Sequence, residues 1–272
     1  MQGNDDMIIY KYFALERIDI LKTLLIRFTQ PSALNDPYEC LPTIDDYNAD
    51  ILVDGVIGRH KALLLDLFKS PEIIKQQRNE IAKKLKTNPH SLKLIAFDKY
   101  REHRDKVGIL SLTKRGDSVV MWSHYAKKHT GFVLGFNSEH NFFNQLNHSD
   151  INSLREVNYS PNRMKLSIEG EININPEILL TKGMEWQYEQ EMRLIARLAS
   201  APRVISTVNS LCYMFPIPPD AIVKIVFGMN CDRTNSEKHV QYIRATPTLK
   251  HIMAYQAELD EKSFLMKQVE IK

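Results

Sequence analysis

The chain contains 272 residues, of which 43% are hydrophobic and 25% are charged. Folded globular proteins share this composition, so a mainly disordered chain is excluded. The 36 basic and 33 acidic residues leave a net charge of +3, and this total demands no polyanionic partner. The three cysteines have no second Cys or His at ligand spacing, which argues against a disulfide framework or a structural zinc site.

The N-terminal residues carry no pattern of an export signal. The segment MQGNDDMIIYKYF is acidic where a signal peptide would be basic, and its apolar run is short. No stretch approaches the roughly 20 apolar residues that a membrane helix requires. We therefore expect a cytoplasmic protein with no membrane partner.

The first elements are a predicted strand, a helix and a second strand. The apolar run Met7–Tyr12 suits a strand, and apolar residues at helical spacing predict a helix over Leu15–Leu25. Ile26–Thr29 predicts a short extended piece. The next segment, QPSALNDPYE, contains two prolines and predicts a loop.

Residues 51–104 predict two or three basic helices. Pro71 and Pro89 each stand where a helix can begin, because proline is tolerated in the first turn but breaks a helix interior. We expect these helices to form an insertion at residues 51–106 that serves as a lid or a partner-binding subdomain.

The middle of the chain predicts a strand, a helix and a strand in succession. Val107–Thr113 has the pattern of a buried strand, and Asp117 is the predicted N-cap of a helix that Gly131 ends before the strand FVLGF. Residues 156–160 predict a strand at a sheet edge.

The C-terminal part completes the prediction of fold class. Glu189–Leu198 fits a strand or a helix by periodicity, and we favour a strand because Trp186 and Tyr188 lead into it. The remaining predicted elements are a strand at Ala221–Gly228, a helix at Thr234–Arg244 capped by Thr234 or Asn235, and the closing strands HIMAYQAEL and FLMKQVEI. Strands at both ends with helices between predict a single α+β domain over residues 1–272, with a mostly antiparallel sheet as its core.

Unusual polar residues fall in four short segments, which we predict to converge on one site. In the first, Pro37 pushes Asp36 toward extended geometry, so that Asn35 and Asp36 suit binding of a ribose or an ammonium group. A structural Asx turn is the alternative. In the second, Tyr10 and Lys11 end the first strand beside a helix start, where a lysine can meet a phosphate or simply extend into solvent.

The third segment is the predicted helix that carries Trp122, His124, Tyr125 and His129. The two histidines are five residues apart and so lie off a common face, which argues against a paired-histidine metal site. His124 suits an acid, a base or a stacking platform, or else a hydrogen bond that holds the helix.

The fourth segment, GMEWQYEQEMR, contains the residues that we expect to carry the chemistry. In a strand, three glutamates and one arginine share a face, and such crowding costs stability unless a ligand or the arginine offsets it. In a helix these charges spread around the cylinder. A surface salt bridge to Arg193 is the alternative.

In their order along the chain, five segments resemble an uncharacterised bacterial family: YKY, LNDPYE, MWSHYAKKHTGFVLGF, EWQYEQEMRL and IVFG. The resemblance runs from Tyr10 to about Gly228. It implies a bacterial or phage-related protein, of a kind expected near defence or toxin systems.

The chain is also similar to ADP-ribosyltransferases, through Lys11 on a first strand, the LSLT segment and the ExE pattern of EQEMRLI. Lys11 stands where those enzymes have Arg or His, and SLT where they have Ser-Thr-Ser. The resemblance implies an ADP-ribosyltransferase-like sheet and NAD as substrate. The catalytic residues are predicted to be Glu191, Glu189 and His124, and the NAD-binding residues Tyr10, Lys11, Asn35, Asp36, Ser111, Trp122 and Tyr125; no metal ligand is predicted.

Two other functions stay open at this point. A nuclease-like phosphodiesterase would use Asp36, Glu39, Glu189 and Glu191 with Lys11 or Arg193, and the basic helices would grip phosphates. A non-catalytic ligand-sensing or antitoxin-like module would use the same polar site to bind a small ligand. The predicted partners are a nucleotide and a protein or nucleic-acid acceptor.

Overall fold

The computed structural model describes residues 8–59, 70–144, 153–169, 175–208 and 210–271. The chain divides into two compact units. The first consists of Met1–Ala33, Val107–Tyr159 and Met184–Lys272, and the second of Leu34–Lys106 and Ser160–Gly183. The predicted helical insertion falls within the second unit, and the division into one domain with an insertion stays a prediction.

The bounds of the elements are as follows. The strands are β1 Ile8–Phe13, β2 Leu25–Phe28, β3 Thr43–Tyr47, β4 Val107–Thr113, β5 Phe132–Asn137, β6 Arg155–Glu156, β7 Asn158–Ser160, β8 Lys165–Ile168, β9 Thr181–Gly183, β10 Glu191–Arg197, β11 Arg203–Ser206, β12 Leu211–Pro216, β13 Ile222–Phe227, β14 Met253–Leu259 and β15 Met266–Glu270. The α-helices are α1 Ile20–Thr23, α2 Ala49–Arg59, α3 Pro71–Lys86, α4 Pro89–Arg104, α5 Val119–Tyr125, α6 Pro176–Leu179 and α7 Arg233–Ala245. Short 3₁₀ helices span Leu15–Arg17, Pro31–Ala33, Asn141–Phe143, Met184–Glu189, Leu198–Ser200 and Pro219–Ala221.

The first unit is built on an eight-stranded sheet in the order β15-β14-β13-β5-β1-β4-β10-β6. Its pairs are antiparallel except β13 with β14, which run parallel. A parallel pair needs a crossover connection, and α7 provides it here. The predicted α+β class with a mostly antiparallel sheet is therefore confirmed.

The two faces of this sheet bury different residues. One face carries the larger apolar core, which includes Ile9, Phe13 and Leu112. Tyr10, Thr113 and Glu191 lie opposite one another across β1, β4 and β10, so their side chains emerge on the other face. Helix α5 packs on that second face through Trp122. The register thus brings the start of β10 to the same face as α5.

The second unit has its own core. Strands β3 and β8 form a parallel pair, and helices α2, α3 and α4 pack together beside them. The buried residues of this core include Ile44, Leu52, Ala96 and Tyr100. Among the described helices, each of the two longest begins at a proline, as predicted from Pro71 and Pro89.

Three local predictions were wrong. The predicted helix Leu15–Leu25 is a 3₁₀ turn followed by the four-residue α1, because Leu24 adopts a left-handed conformation and the chain enters β2. Ser118 rather than Asp117 caps α5, since Asp117 pairs with Arg115. Asp232 rather than Thr234 or Asn235 caps α7, by accepting a hydrogen bond from the Asn235 backbone.

Two further predictions, for the segments around residues 189 and 125, also differ from the structure. The predicted strand Glu189–Leu198 begins only at Glu191 and ends at Arg197, and the residues that lead into it form a 3₁₀ helix over Met184–Glu189. The predicted helix after residue 117 ends at Tyr125, because the residues at 127–129 have positive φ angles. Within the part of the chain that the structure describes, no helix is both long and apolar enough to cross a membrane.

Candidate functional site

A buried ion pair stands at the start of β10. Both carboxylate oxygens of Glu191 accept hydrogen bonds from Arg193, from Nε at 2.8 Å and from a terminal nitrogen at 3.0 Å. The two residues are neighbours on one face of the strand because alternate side chains point the same way. Arg193 is wholly buried and Glu191 is 4% exposed. This bidentate geometry fixes the orientation of the carboxylate.

The backbone of Glu191 is held as firmly as its side chain. Its N–H donates to the hydroxyl of Tyr159 at 2.7 Å, and its carbonyl accepts from Val157 N–H at 3.0 Å. The segment at residues 157–159 therefore fixes the backbone of the first residue of β10 through both its N–H and its carbonyl.

Glu189 is anchored from α5 and β4. The Tyr125 hydroxyl donates to its carboxylate at 2.5 Å, and the Thr113 hydroxyl donates to its backbone carbonyl. Between the two glutamates, Gln190 takes a φ of 44°. This left-handed residue turns the corner from the 3₁₀ helix into the strand, so both glutamates are buried while Gln190 is exposed.

His124 lies at the surface end of α5. Its Nδ1 is 3.4 Å from the hydroxyl of Tyr188, and the two rings meet edge to face with centroids 6.5 Å apart. His124 is exposed, whereas Tyr188 is half-buried. The histidine thus contacts the same short 3₁₀ helix that ends at Glu189.

A cavity of about 520 Å³ opens beside Glu191. Such a volume suits a small molecule of the size of a nucleotide or part of a dinucleotide. At its rim the ammonium of Lys114 pairs with Glu156. We call this space the Glu191 cavity; its lining residues are Lys114, Glu156, Val157, Tyr159, Gln187, Tyr188, Gln190 and Glu191.

The predicted phosphate contact Lys11 has a structural partner. Its ammonium donates to the Ser111 carbonyl at 2.8 Å, where β1 and β4 separate. Burial lowers the pKa of Lys11 to about 8, and the charge of Glu191 opposes that shift. Alternation along β1 directs Lys11 to the face opposite Tyr10 and Glu191.

The aromatic residues predicted to bind NAD fall in the core of the first unit. Trp122 is wholly buried, and its ring meets Tyr12 edge to face at 5.3 Å and stacks on His129 at 6.3 Å. Tyr10 is also buried and belongs to the same apolar cluster. In this conformation both residues pack the sheet face beneath α5, and their predicted role toward NAD stays a prediction.

Asn35 and Asp36 belong to the second unit. Asp36 is buried, and its carboxylate accepts from the backbone of Tyr38 at 2.9 Å, which is the Asx turn given above as the alternative. Nearby in that unit, Glu39 and Lys182 form a buried pair at 3.8 Å. The convergence of all four polar segments on one site stays a prediction.

Several residues of the Glu191 cavity were absent from the predicted site. Glu156 reaches it through the pairing of β6 with β10, where it lies opposite Met192. Tyr159 follows on β7, and its hydroxyl accepts from the Glu191 N–H. Lys114 directly follows β4, the strand that carries Ser111. A basic residue at the end of a predicted strand was the one feature of the sequence that could have indicated it. Within the described ranges, no group of three or more His, Cys, Asp or Glu side chains is arranged to hold a metal ion.

A comparison with protein families matches one part of the chain. No curated protein and no solved structure matches the chain. A segment that includes most of α5 and the Glu191–Arg193 pair does match a family model, and this confirms the resemblance to an uncharacterised family. Residues 121–194 match the family described as "Protein of unknown function (DUF2971)".

Proposed function

We propose that the Glu191 cavity binds NAD and that the protein cleaves the bond between nicotinamide and ribose. The observation that carries this proposal is that Glu191 lines the cavity and that Arg193 holds both oxygens of its carboxylate. A fixed, buried carboxylate is the group that an oxocarbenium-like transition state requires.

The reaction proceeds by departure of a neutral leaving group. The bond from C1′ to the nicotinamide nitrogen breaks, and its electron pair leaves with nicotinamide. Positive charge develops on the ribose, and Glu191 stabilises it electrostatically without reorganisation, because the carboxylate is already oriented. An acceptor oxygen or nitrogen, or water, then forms the new bond to C1′ and releases its proton to solvent.

The other cavity residues suit the remaining parts of the dinucleotide. Tyr159 and Tyr188 provide aromatic surface for a nicotinamide or adenine ring. Lys114 is a cation for the pyrophosphate, and binding there exchanges Glu156 for a phosphate oxygen. The side-chain amides of Gln187 and Gln190 match a carboxamide. The hydroxyl of Tyr125 holds the Glu189 carboxylate just before the start of β10 at Glu191.

The biological setting follows from the sequence resemblance. An ADP-ribosyl-transferring or NAD-consuming protein of a bacterial defence or toxin system would deplete NAD or modify a protein or nucleic-acid acceptor. The buried Glu191–Arg193 pair is compatible with a non-catalytic ligand sensor as well, since a structural ion pair needs no chemistry.

The test follows nicotinamide release from NAD by chromatography. Glu191→Gln is expected to lower turnover by about 100-fold or more, the cost of removing one electrostatic stabiliser of a transition state. Glu185→Gln changes an exposed carboxylate of the same segment and is the matched control, with turnover within about twofold of the parent.

Because Glu191→Gln removes one partner of a buried pair, folding is checked by circular dichroism. Tyr159→Phe, which keeps the charge pair, provides a second variant and is expected to lower turnover about tenfold or less. If the parent protein binds NAD but releases no nicotinamide, the proposed enzymatic function is wrong and a non-catalytic NAD sensor is favoured. Metal-dependent degradation of RNA or DNA in the same preparation would instead favour the nuclease.

A further inference from the structure

The connection between α3 and α4 in the second unit carries a concentrated positive charge. Residues 81–97 include four lysines and no acidic residue, which gives this segment a charge of +4, more than the +3 of the entire chain. The lysines are Lys83, Lys84, Lys86 and Lys93, and we call them the basic tip.

The helical geometry gathers these lysines around one turn. Helix α3 ends at Lys86, Thr87 and Asn88 form the connection, and α4 begins at Pro89. With 3.6 residues per turn, every lysine of the basic tip lies within about one and a half turns of that connection. Lys83, Lys84 and Lys93 are exposed.

Most of this charge has no ion-pair partner among the described residues. Lys86 pairs with Asp50 at 2.9 Å. Among the described residues, no carboxylate lies within 4.0 Å of the ammonium groups of Lys83, Lys84 or Lys93. Elsewhere on α3 and α4, by contrast, Arg78 pairs with Asp54 and Arg101 with Asp98. Within the described part of the chain, Lys83, Lys84 and Lys93 thus lack the acidic partners that other basic residues of these two helices have.

The chemistry of the surrounding surface favours a phosphodiester backbone over a bilayer. Leu94 is the one exposed large apolar side chain of residues 81–97, so little surface exists to insert among lipid chains. Thr87, Asn88 and His90 are exposed beside the lysines and add polar groups that bind phosphate and sugar.

We propose that the basic tip is a nucleic-acid-binding surface that grips the sugar–phosphate backbone without reading base sequence. About three phosphates are contacted, one for each unneutralised lysine. This binding is independent of the proposed reaction at Glu191, because all of its residues belong to the second unit.

The test measures binding of the full chain to labelled single-stranded RNA and duplex DNA by fluorescence anisotropy across a salt series. For duplex DNA, the logarithm of the binding constant is expected to fall with the logarithm of salt concentration with a slope of about −3. The triple variant Lys83→Glu, Lys84→Glu, Lys93→Glu is expected to weaken binding at least tenfold and to flatten that slope.

The matched control changes three exposed lysines of the first unit, as Lys238→Glu, Lys250→Glu, Lys262→Glu, and alters the net charge equally. It is expected to weaken binding less than threefold. Lys83→Arg, Lys84→Arg, Lys93→Arg is expected to bind like the parent, and Glu191→Gln is expected to leave binding unchanged. Equal losses in both glutamate triples would overturn the proposal, as would equally tight binding of poly-glutamate or of anionic lipid vesicles.

Discussion

At the scale of single residues, the most informative feature is the burial of a complete charge pair. Arg193 and Glu191 are removed from water, and desolvation of two charges is costly unless their geometry is nearly ideal. The bidentate contact meets that condition. The pair therefore holds the carboxylate in place, while its net contribution to stability is small.

This view predicts a strongly coupled double-mutant cycle. Glu191→Leu removes from the buried Arg193 the carboxylate that holds its Nε and a terminal nitrogen, and it is expected to reduce the free energy of unfolding by about 3–5 kcal/mol. Glu191→Leu combined with Arg193→Leu is expected to recover most of that loss, as measured by urea unfolding. A double variant no more stable than the single one would show that the pair is not isolated from other charges.

Lys11 predicts a pH dependence of stability. Burial lowers its pKa in the folded protein to about 8 from an ordinary value of 10.5. Between these values the unfolded chain holds a proton that the folded chain has lost, so the stability contributed through Lys11 increases as pH rises from about 8 to 10.5. Below pH 8 both states are protonated and the burial penalty is present in full.

The comparison uses Lys11→Met, which cannot titrate. The difference in free energy of unfolding between the parent protein and this variant is expected to shift in favour of the parent between pH 8 and pH 10.5. Urea unfolding at half-unit steps measures it. Parallel stability profiles for the two proteins would contradict the lowered pKa.

At the scale of elements, the turn between the 3₁₀ helix and β10 explains why the start of this strand was predicted wrongly. Polar and apolar residues alternate well enough over residues 185–193 to suggest one strand. Gln190 adopts a left-handed backbone conformation and interrupts this alternation. The sequence does not reveal a positive φ at a glutamine, because non-glycine residues seldom adopt one. Of the side chains that were expected on one strand face, Glu191 and Arg193 therefore share it. Glu189 lies outside the strand, and its carboxylate accepts a hydrogen bond from Tyr125.

The turn after α5 depends on close backbone contact. Lys127, Lys128 and His129 all have positive φ, and the carbonyl of His129 accepts from Asn230 N–H at 3.0 Å. A Cβ added to Gly228 would lie 2.1 Å from that carbonyl oxygen. The glycine is therefore required for the turn to dock against the end of β13.

Gly228→Ala is expected to lower the free energy of unfolding by about 1–3 kcal/mol or more, because backbone atoms must move apart. Gly55→Ala in α2 is the matched control. A Cβ there meets no atom within 4 Å, and alanine in a helix interior is expected to raise stability by about 0.5–1 kcal/mol. Equal effects of the two substitutions would contradict the close contact.

At the scale of the whole molecule, the strongly apolar segments were predictable and the site was partly so. The runs that form β4, β5 and β13 were recognised because buried strands are apolar nearly throughout. The prolines at 71 and 89 marked two helix starts. Glu191 was selected from its ExE pattern, and it lines the cavity.

Tyr159 and Lys114 were missed for a physical reason. They join Glu191 only when β10 pairs with β4 on one side and β6 on the other, and such long-range register leaves no mark in local periodicity. Full burial of Arg193 was likewise unexpected, since arginine is seldom inside a protein without a partner. Local sequence patterns thus identified strand β10, but they did not identify the residues from other elements that line the Glu191 cavity with it.

The most direct measurement is a crystal structure of the protein with a hydrolysis-resistant NAD analogue. We predict that the nicotinamide ribose lies within hydrogen-bonding distance of the Glu191 carboxylate, with a ring of the analogue against Tyr159 or Tyr188. Density for the analogue elsewhere, with the Glu191 cavity empty at saturating concentration, would contradict the account.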